Sequence, residues 1–156
     1  MFRGIHTSTL DGKGRLGLPV RVRETLAQVS GVDVIVTIDT QEKCLLLYPL
    51  AEWDIVQARF NELANLRETT RVLQRLLIGH ATDLQVDSNG RILLPPMLRE
   101  HAGLNIDQDK AAVIVGQSNK FEIWSESHWR TQREFWLTNN REALSQASEA
   151  VLDVRV

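Results

Sequence analysis

The sequence predicts an α+β fold built from two tandem copies of one unit. Two observations carry this. One segment returns after 76 residues, and within each copy short strand-like runs alternate with helix signals. Asp11-Gly-Lys-Gly-Arg15-Leu-Gly-Leu-Pro19 comes back as Asp87-Ser-Asn-Gly-Arg91-Ile-Leu-Leu-Pro95. The register then runs without a gap through Arg23-Glu24 and Arg99-Glu100, Asp33 and Asp109, Ile38 and Ile114, Gln41 and Gln117, and Trp53 and Trp129. Eleven positions are identical between residues 11–53 and 87–129. Two copies are too few for a solenoid and suit a pseudo-twofold pair sharing one core.

Each copy is read in order. Residues 5–10 form a short strand. Asp11-Gly12 and Asn89-Gly90 are turns, because glycine tolerates positive φ and Asp or Asn bonds its own backbone. Second strands follow at 15–18 and 91–94, and Pro19 and Pro95 then open helices over 20–29 and 96–102. Gly103 stops the second helix. Third strands fall at 34–38 and 111–115, and fourth strands at 44–48 and 120–124, joined through polar turns around Gln41 and Gln117. Trp53, Val56, Phe60 and Leu63 share one helix face. A second helix covers 69–80, with Val72, Leu73, Leu76, Leu77 and His80 on its apolar side. A third begins near Trp129 and ends at Asn139-Asn140. The organisation expected is a first repeat at 5–53, a helical connection at 54–80, a second repeat at 81–129 and a helical tail at 130–156. No Pro/Gly/Ser-rich linker separates the halves, so a rigid junction is expected.

Composition is that of an ordinary globular chain, 43% hydrophobic and 24% charged. No apolar run approaches the roughly 20 residues of a membrane span, and the Met1-Phe2-Arg3-Gly4 start lacks a secretory signal. With one cysteine, Cys44, no internal disulfide forms, which suits a cytoplasmic location. The net charge of −2 is unevenly spread. Residues 1–30 carry five basic against two acidic side chains, a surplus of three, and residues 100–156 carry six against nine. A local basic field matters more to DNA than whole-chain charge.

Signatures of catalysis are missing from the pattern. There is no GxGxxG and no GxxxxGK[ST], and no cofactor is expected. His6, His80, His101 and His128 stand singly, without metal-ligand spacing, and Cys44 reads as a small core residue. The Asp-x-x-x-Arg element is different. At Asp11/Arg15 and Asp87/Arg91 it spans a glycine turn, with Asp11 and Asp87 bracing the loop and Lys13 and Asn89 at the tip. A strand-borne arginine on a rigid turn suits phosphate or the O6/N7 edge of guanine. Arg23/Glu24 and Arg99/Glu100 read as bracing or helix-surface residues, and Arg71 and Arg75 as a solvated face.

MFRG, LDGKGRLGLP, CLLLYPLAEW, RLLIGHATD, DSNGRILLP, LREHAGL and VGQSNKFEIW together resemble the MraZ family of bacterial regulators over about residues 1–130. The duplicated unit is similar to the SpoVT–AbrB type of DNA-binding domain. The resemblance implies an intertwined, β-barrel-like core made from both repeats, closed rings of subunits, and association with the nucleoid. It also implies repression of the protein's own promoter, in a cell-division and cell-wall gene cluster, through direct repeats in double-stranded DNA. The family's contacting loop maps onto Lys13 and Arg15, with Arg3 and Arg21 as phosphate contacts. The second copy keeps Arg91 but has Asn89 for Lys13 and Met97 for Arg21, so unequal DNA binding is expected. The rival expectation is an oligomeric scaffold with weak DNA binding.

Overall fold

The computed structural model describes residues 1–63, 67–146 and 148–154. The first copy contributes β1 (Ile5–Thr9), β2 (Arg15–Gly17), α1 (Val20–Ser30), β3 (Asp33–Ile38) and β4 (Leu45–Pro49). Helices α2 (Leu50–Glu62) and α3 (Glu68–Leu77) follow. The second copy supplies β5 (Thr82–Gln85), β6 (Arg91–Leu93), α4 (Pro96–Ala102), β7 (Ala111–Gly116) and β8 (Phe121–Ser125). It continues into α5 (Glu126–Ser145) and the short α6 (Glu149–Leu152). Pro19 and Pro95 stand at the N-caps of α1 and α4, where a missing N–H costs nothing, and Gly103 takes the left-handed conformation that ends α4.

The fold is α+β, as the repeat predicts, and the two copies are interwoven. One antiparallel sheet runs β1-β7-β8-β4-β3-β5, and β2 pairs with β6 in a separate two-stranded ribbon. Each copy's first strand therefore pairs with the other copy's third, β1 with β7 and β5 with β3. The pseudo-twofold is visible in the register. Leu45 faces Ile123, Leu46 faces Glu122 and Leu47 faces Phe121, so the axis passes between Leu46 and Glu122. In the ribbon it passes between Leu16 and Ile92.

Several expectations change. The core is an open six-stranded sheet with β1 and β5 at its edges plus a ribbon, not a barrel. The gap-free 76-residue offset fails in the third strands. β3 at Asp33–Ile38 matches β7 at Ala111–Gly116, an offset of 78, so Ile38 corresponds to Gly116 and not to Ile114. From the start of the helix to the start of the strand the second copy has two more residues, and it has two fewer in the following hairpin, which restores the offset. Helix α5 does not stop at Asn139-Asn140 but runs on to Ser145, and the Asn139 side-chain amide donates to the Phe135 carbonyl within it.

The sheet has two working faces. Val34, Val36, Ile38, Leu45, Leu47, Ile114, Phe121 and Ile123 join Leu16 and Ile92 of the ribbon and Val22, Leu26, Leu98 and Ala102 of α1 and α4 in the main core. The opposite face is covered in two halves. Ile35, Leu46 and Tyr48 take Trp53, Val56, Leu77 and Ile78 from α2 and α3. Cys44, Val113 and Trp124 take Trp129 from α5. Between the halves lies a cleft. Helix α3 buries less than its periodicity predicts, since Val72 and Leu73 are exposed.

Candidate nucleic-acid interface

The ribbon is built from two short strands whose side chains alternate. Leu16 and Ile92 point inward and are fully buried, each worth about 1.5–3 kcal/mol of apolar burial. Arg15, Gly17, Arg91 and Leu93 therefore share the outward face, with Arg15 opposite Leu93 and Gly17 opposite Arg91. The ribbon is clipped at both ends by backbone bonds between copies, Leu18 N–H to the Gly90 carbonyl at 2.8 Å and Leu94 N–H to the Gly14 carbonyl at 2.9 Å.

Each arginine is aimed by the turn before it. Asp11 N–H donates to the Arg15 carbonyl at 2.8 Å, and Gly14 N–H returns to the Asp11 carbonyl at 3.1 Å. Gly14 has φ +85°, the left-handed position of a three-residue hairpin loop. One Asp11 carboxylate oxygen accepts the Lys13 and Arg15 backbone N–H groups, both at 2.9 Å, and the other accepts Arg15 Nε at 2.7 Å. The second turn repeats this. Asp87 accepts the Asn89 and Arg91 N–H groups at 2.9 Å, Gly90 has φ +75°, and Arg91 Nε lies 3.4 Å from Asp87. Arg91 Nη1 also stands 3.7 Å from the Asp11 carboxylate, so Asp11 touches both arginines. The donated backbone N–H of Arg15, aided by its side chain and the Lys13 N–H, holds the Asp11 carboxyl down to about 2. The Arg91 backbone N–H lowers Asp87 in the same way. Both aspartates brace through Nε, which leaves the outer guanidinium edge of Arg15 unused by these contacts, whereas Arg91 also turns Nη1 toward Asp11. Lys13 and Asn89 are exposed at the tips.

Two further arginines complete the arrangement, and their role was only half legible. Arg23 of the first copy lays its guanidinium on Gly90 of the second, where an added Cβ would clash with Nη1. Arg99 of the second copy lies on Gly14 of the first, and its Nε donates to the Leu94 carbonyl at 3.0 Å. Each copy thus braces the other's turn. The signal was the Arg-Glu pair shared by both copies, but which turn it braces follows only from the interweaving. Arg15, Arg91, Lys13, Arg23 and Arg99 oppose Asp11 and Asp87 here, five positive charges against two negative.

Arg3 and Arg21 are placed elsewhere. They line a cleft of about 360 Å³ with His6, Thr25 and Gln28, and none of the turn residues borders it. Met97, the counterpart of Arg21, is exposed. Cys44 is buried, its thiol pushed up by desolvation and by nearby Glu122. His101 Nε2 lies 3.0 Å from the Asp39 carbonyl and 3.3 Å from that of Glu42.

Duplication, exchanged first strands and a ribbon carrying two aspartate-braced arginines define the class, a tandem-repeat β-ribbon protein. The family model described as "MraZ protein, putative antitoxin-like" matches residues 1–76 and 77–154. A protein of Marinomonas sp. (strain MWYL1) named Transcriptional regulator MraZ is 52% identical over 140 residues, covering 90% of each chain. One of the same name from Legionella pneumophila (strain Corby) is 49% identical over 137 residues, 88% of each. A third, from Azotobacter vinelandii, is 53% identical over 129 residues, 83% of this chain and 82% of the relative. The chain belongs to the MraZ family.

Proposed function

We propose that this chain is a DNA-binding regulator of transcription, not an enzyme, and that it reads the major groove with the β2–β6 ribbon. The observation that carries this is the pair Arg15 and Arg91 on the outward face of a ribbon anchored by Leu16 and Ile92. The major groove admits a two-stranded ribbon, and a guanidinium edge binds guanine O6/N7 bidentately. The names of the relatives agree with this reading. Arg15 is the main base contact and Arg91 the second, Lys13 supplies a phosphate contact beside them, and Arg3 and Arg21 hold phosphate further along the duplex. The working units are the repeats at 5–53 and 81–129. The protein acts in the cytoplasm at the nucleoid and represses its own promoter and the linked cell-division and cell-wall genes. Because each chain already contains its pseudo-twofold mate, further association is head to tail and closes into a ring.

The test is anisotropy titration of labelled DNA from upstream of the protein's own gene, over a range of salt, with wild type and Arg15→Ala. Wild type should bind with a steep salt slope. Arg15→Ala should keep its circular dichroism and assembly state, since Asp11 still caps the turn through backbone N–H groups, and lose roughly 1–3 kcal/mol of discrimination per contact. Normal promoter affinity in folded Arg15→Ala would sink the proposal. A protein that assembles but ignores duplex DNA at every salt concentration would instead be a scaffold.

A further inference from the structure

On the sheet face opposite the ribbon, the cleft between the two helical covers has a volume of about 520 Å³, within the range of small-molecule sites. Its floor is the pseudo-twofold pair Leu46 and Glu122, and Tyr48, Trp124, Trp129 and Trp136 line it. The three tryptophans stand edge-to-face, with centroids 5.5, 5.8 and 6.1 Å apart and interplanar angles of 62°, 86° and 69°. Glu122 is 92% buried, from a residual exposure of 8%. Its carboxylate accepts the Trp124 indole N–H at 3.3 Å and meets the Cys44 thiol at 3.8 Å. Among the described residues no ion pair reaches it. Asp39 and Glu42 also border the cleft. Among the described residues that line it Lys120 is the one cation, its ammonium 5.8 Å from the Tyr48 ring centroid.

We propose that this cleft binds a small organic cation, an alkylammonium or alkylguanidinium, with its charge between Glu122 and the tryptophan faces and its apolar stem along Leu46 and Leu77. A buried carboxylate without a counter-charge is costly, and a cation both pairs it and gains from the electron-rich ring faces. An anion would meet three carboxylates. A neutral ligand would gain nothing from the charge of Glu122. Lys120, whose ammonium lies over the Tyr48 ring in the same cleft, would compete with the ligand.

Three of the chain's four tryptophans line the cleft, so their fluorescence reports on it. The full-length protein is titrated with n-butylammonium and n-butylguanidinium at constant ionic strength, with n-butanol as the neutral control. A saturable response is expected to the cations and none to butanol. Glu122→Gln should weaken binding by about tenfold or more, the usual worth of a charge-assisted contact, while its amide oxygen still accepts the Trp124 N–H. Lys120→Met, which removes the resident competitor and no core contact, should bind severalfold more tightly. Equal response to butanol, or cation affinity unchanged in both variants, overturns the proposal. If Glu122→Gln does not fold, the butanol comparison and Lys120→Met decide it.

Discussion

At the scale of residues, Asp11 does more than brace its own turn. It holds two backbone N–H groups and Arg15 Nε, and it lies within 3.7 Å of Arg91. Its carboxyl is depressed to about 2, so its contribution to stability is fully present above the unfolded value near 3.8 and is lost as pH falls through 2. Asp11→Asn should therefore flatten the acid limb of stability between about pH 4 and pH 2, measured by chemical denaturation across that range. An acid limb unchanged in Asp11→Asn would show that the carboxylate is not the brace. The aspartate and arginine of each turn were legible from spacing alone. The cross-bracing of Gly90 by Arg23 and of Gly14 by Arg99 was not, because it joins residues 67 and 85 positions apart that only the interwoven fold brings together.

At the scale of elements, the two turns share a geometry and differ in charge. Lys13 stands at the first tip and Asn89 at the second, and the Arg91–Asp87 contact is longer than Arg15–Asp11. The first turn should dominate DNA binding. Lys13→Ala should weaken binding to all sequences and reduce the salt slope by about one unit, whereas Asn89→Ala should do little. Titrations of both variants at several salt concentrations check this, and a larger loss from Asn89→Ala would reverse the ranking. Strand β5, Thr-Asp-Leu-Gln, has one apolar residue and is a strand because β3 offers it partners, so no local pattern announces it. Helix α5 passes Asn139-Asn140 because the Asn139 amide bonds back to Phe135 inside the helix, where a polar pair read alone suggests a stop. The third-strand matches at 76 residues were coincidences of composition, since a compensated pair of length changes left the flanking registers intact. Strongly patterned elements, β2, β6 and α4 among them, were legible because turn chemistry and capping agree with the tertiary fold.

At the scale of the molecule, a chain that contains its own pseudo-twofold has no need of a twofold partner to read DNA. A head-to-tail ring presents the same ribbon in the same sense from each subunit, so the operator should consist of direct repeats about one helical turn apart. One ribbon offers few strong contacts, and linked copies raise avidity by ~10²–10⁴. Synthetic operators with one to four repeats should therefore show steeply rising affinity, and a half-turn insertion between repeats should reduce it. Equal affinity for one repeat and four, or preference for an inverted pair, would contradict the ring. The central claim, that the ribbon is the reading surface, is tested most directly by hydrogen exchange of the full-length protein with and without its upstream DNA. Protection should appear over residues 11–18 and 87–94, stronger in the first, with residues 129–138 of α5 unchanged. Protection confined to α2, α3 or α5, with both turns exchanging as in the free protein, would contradict it.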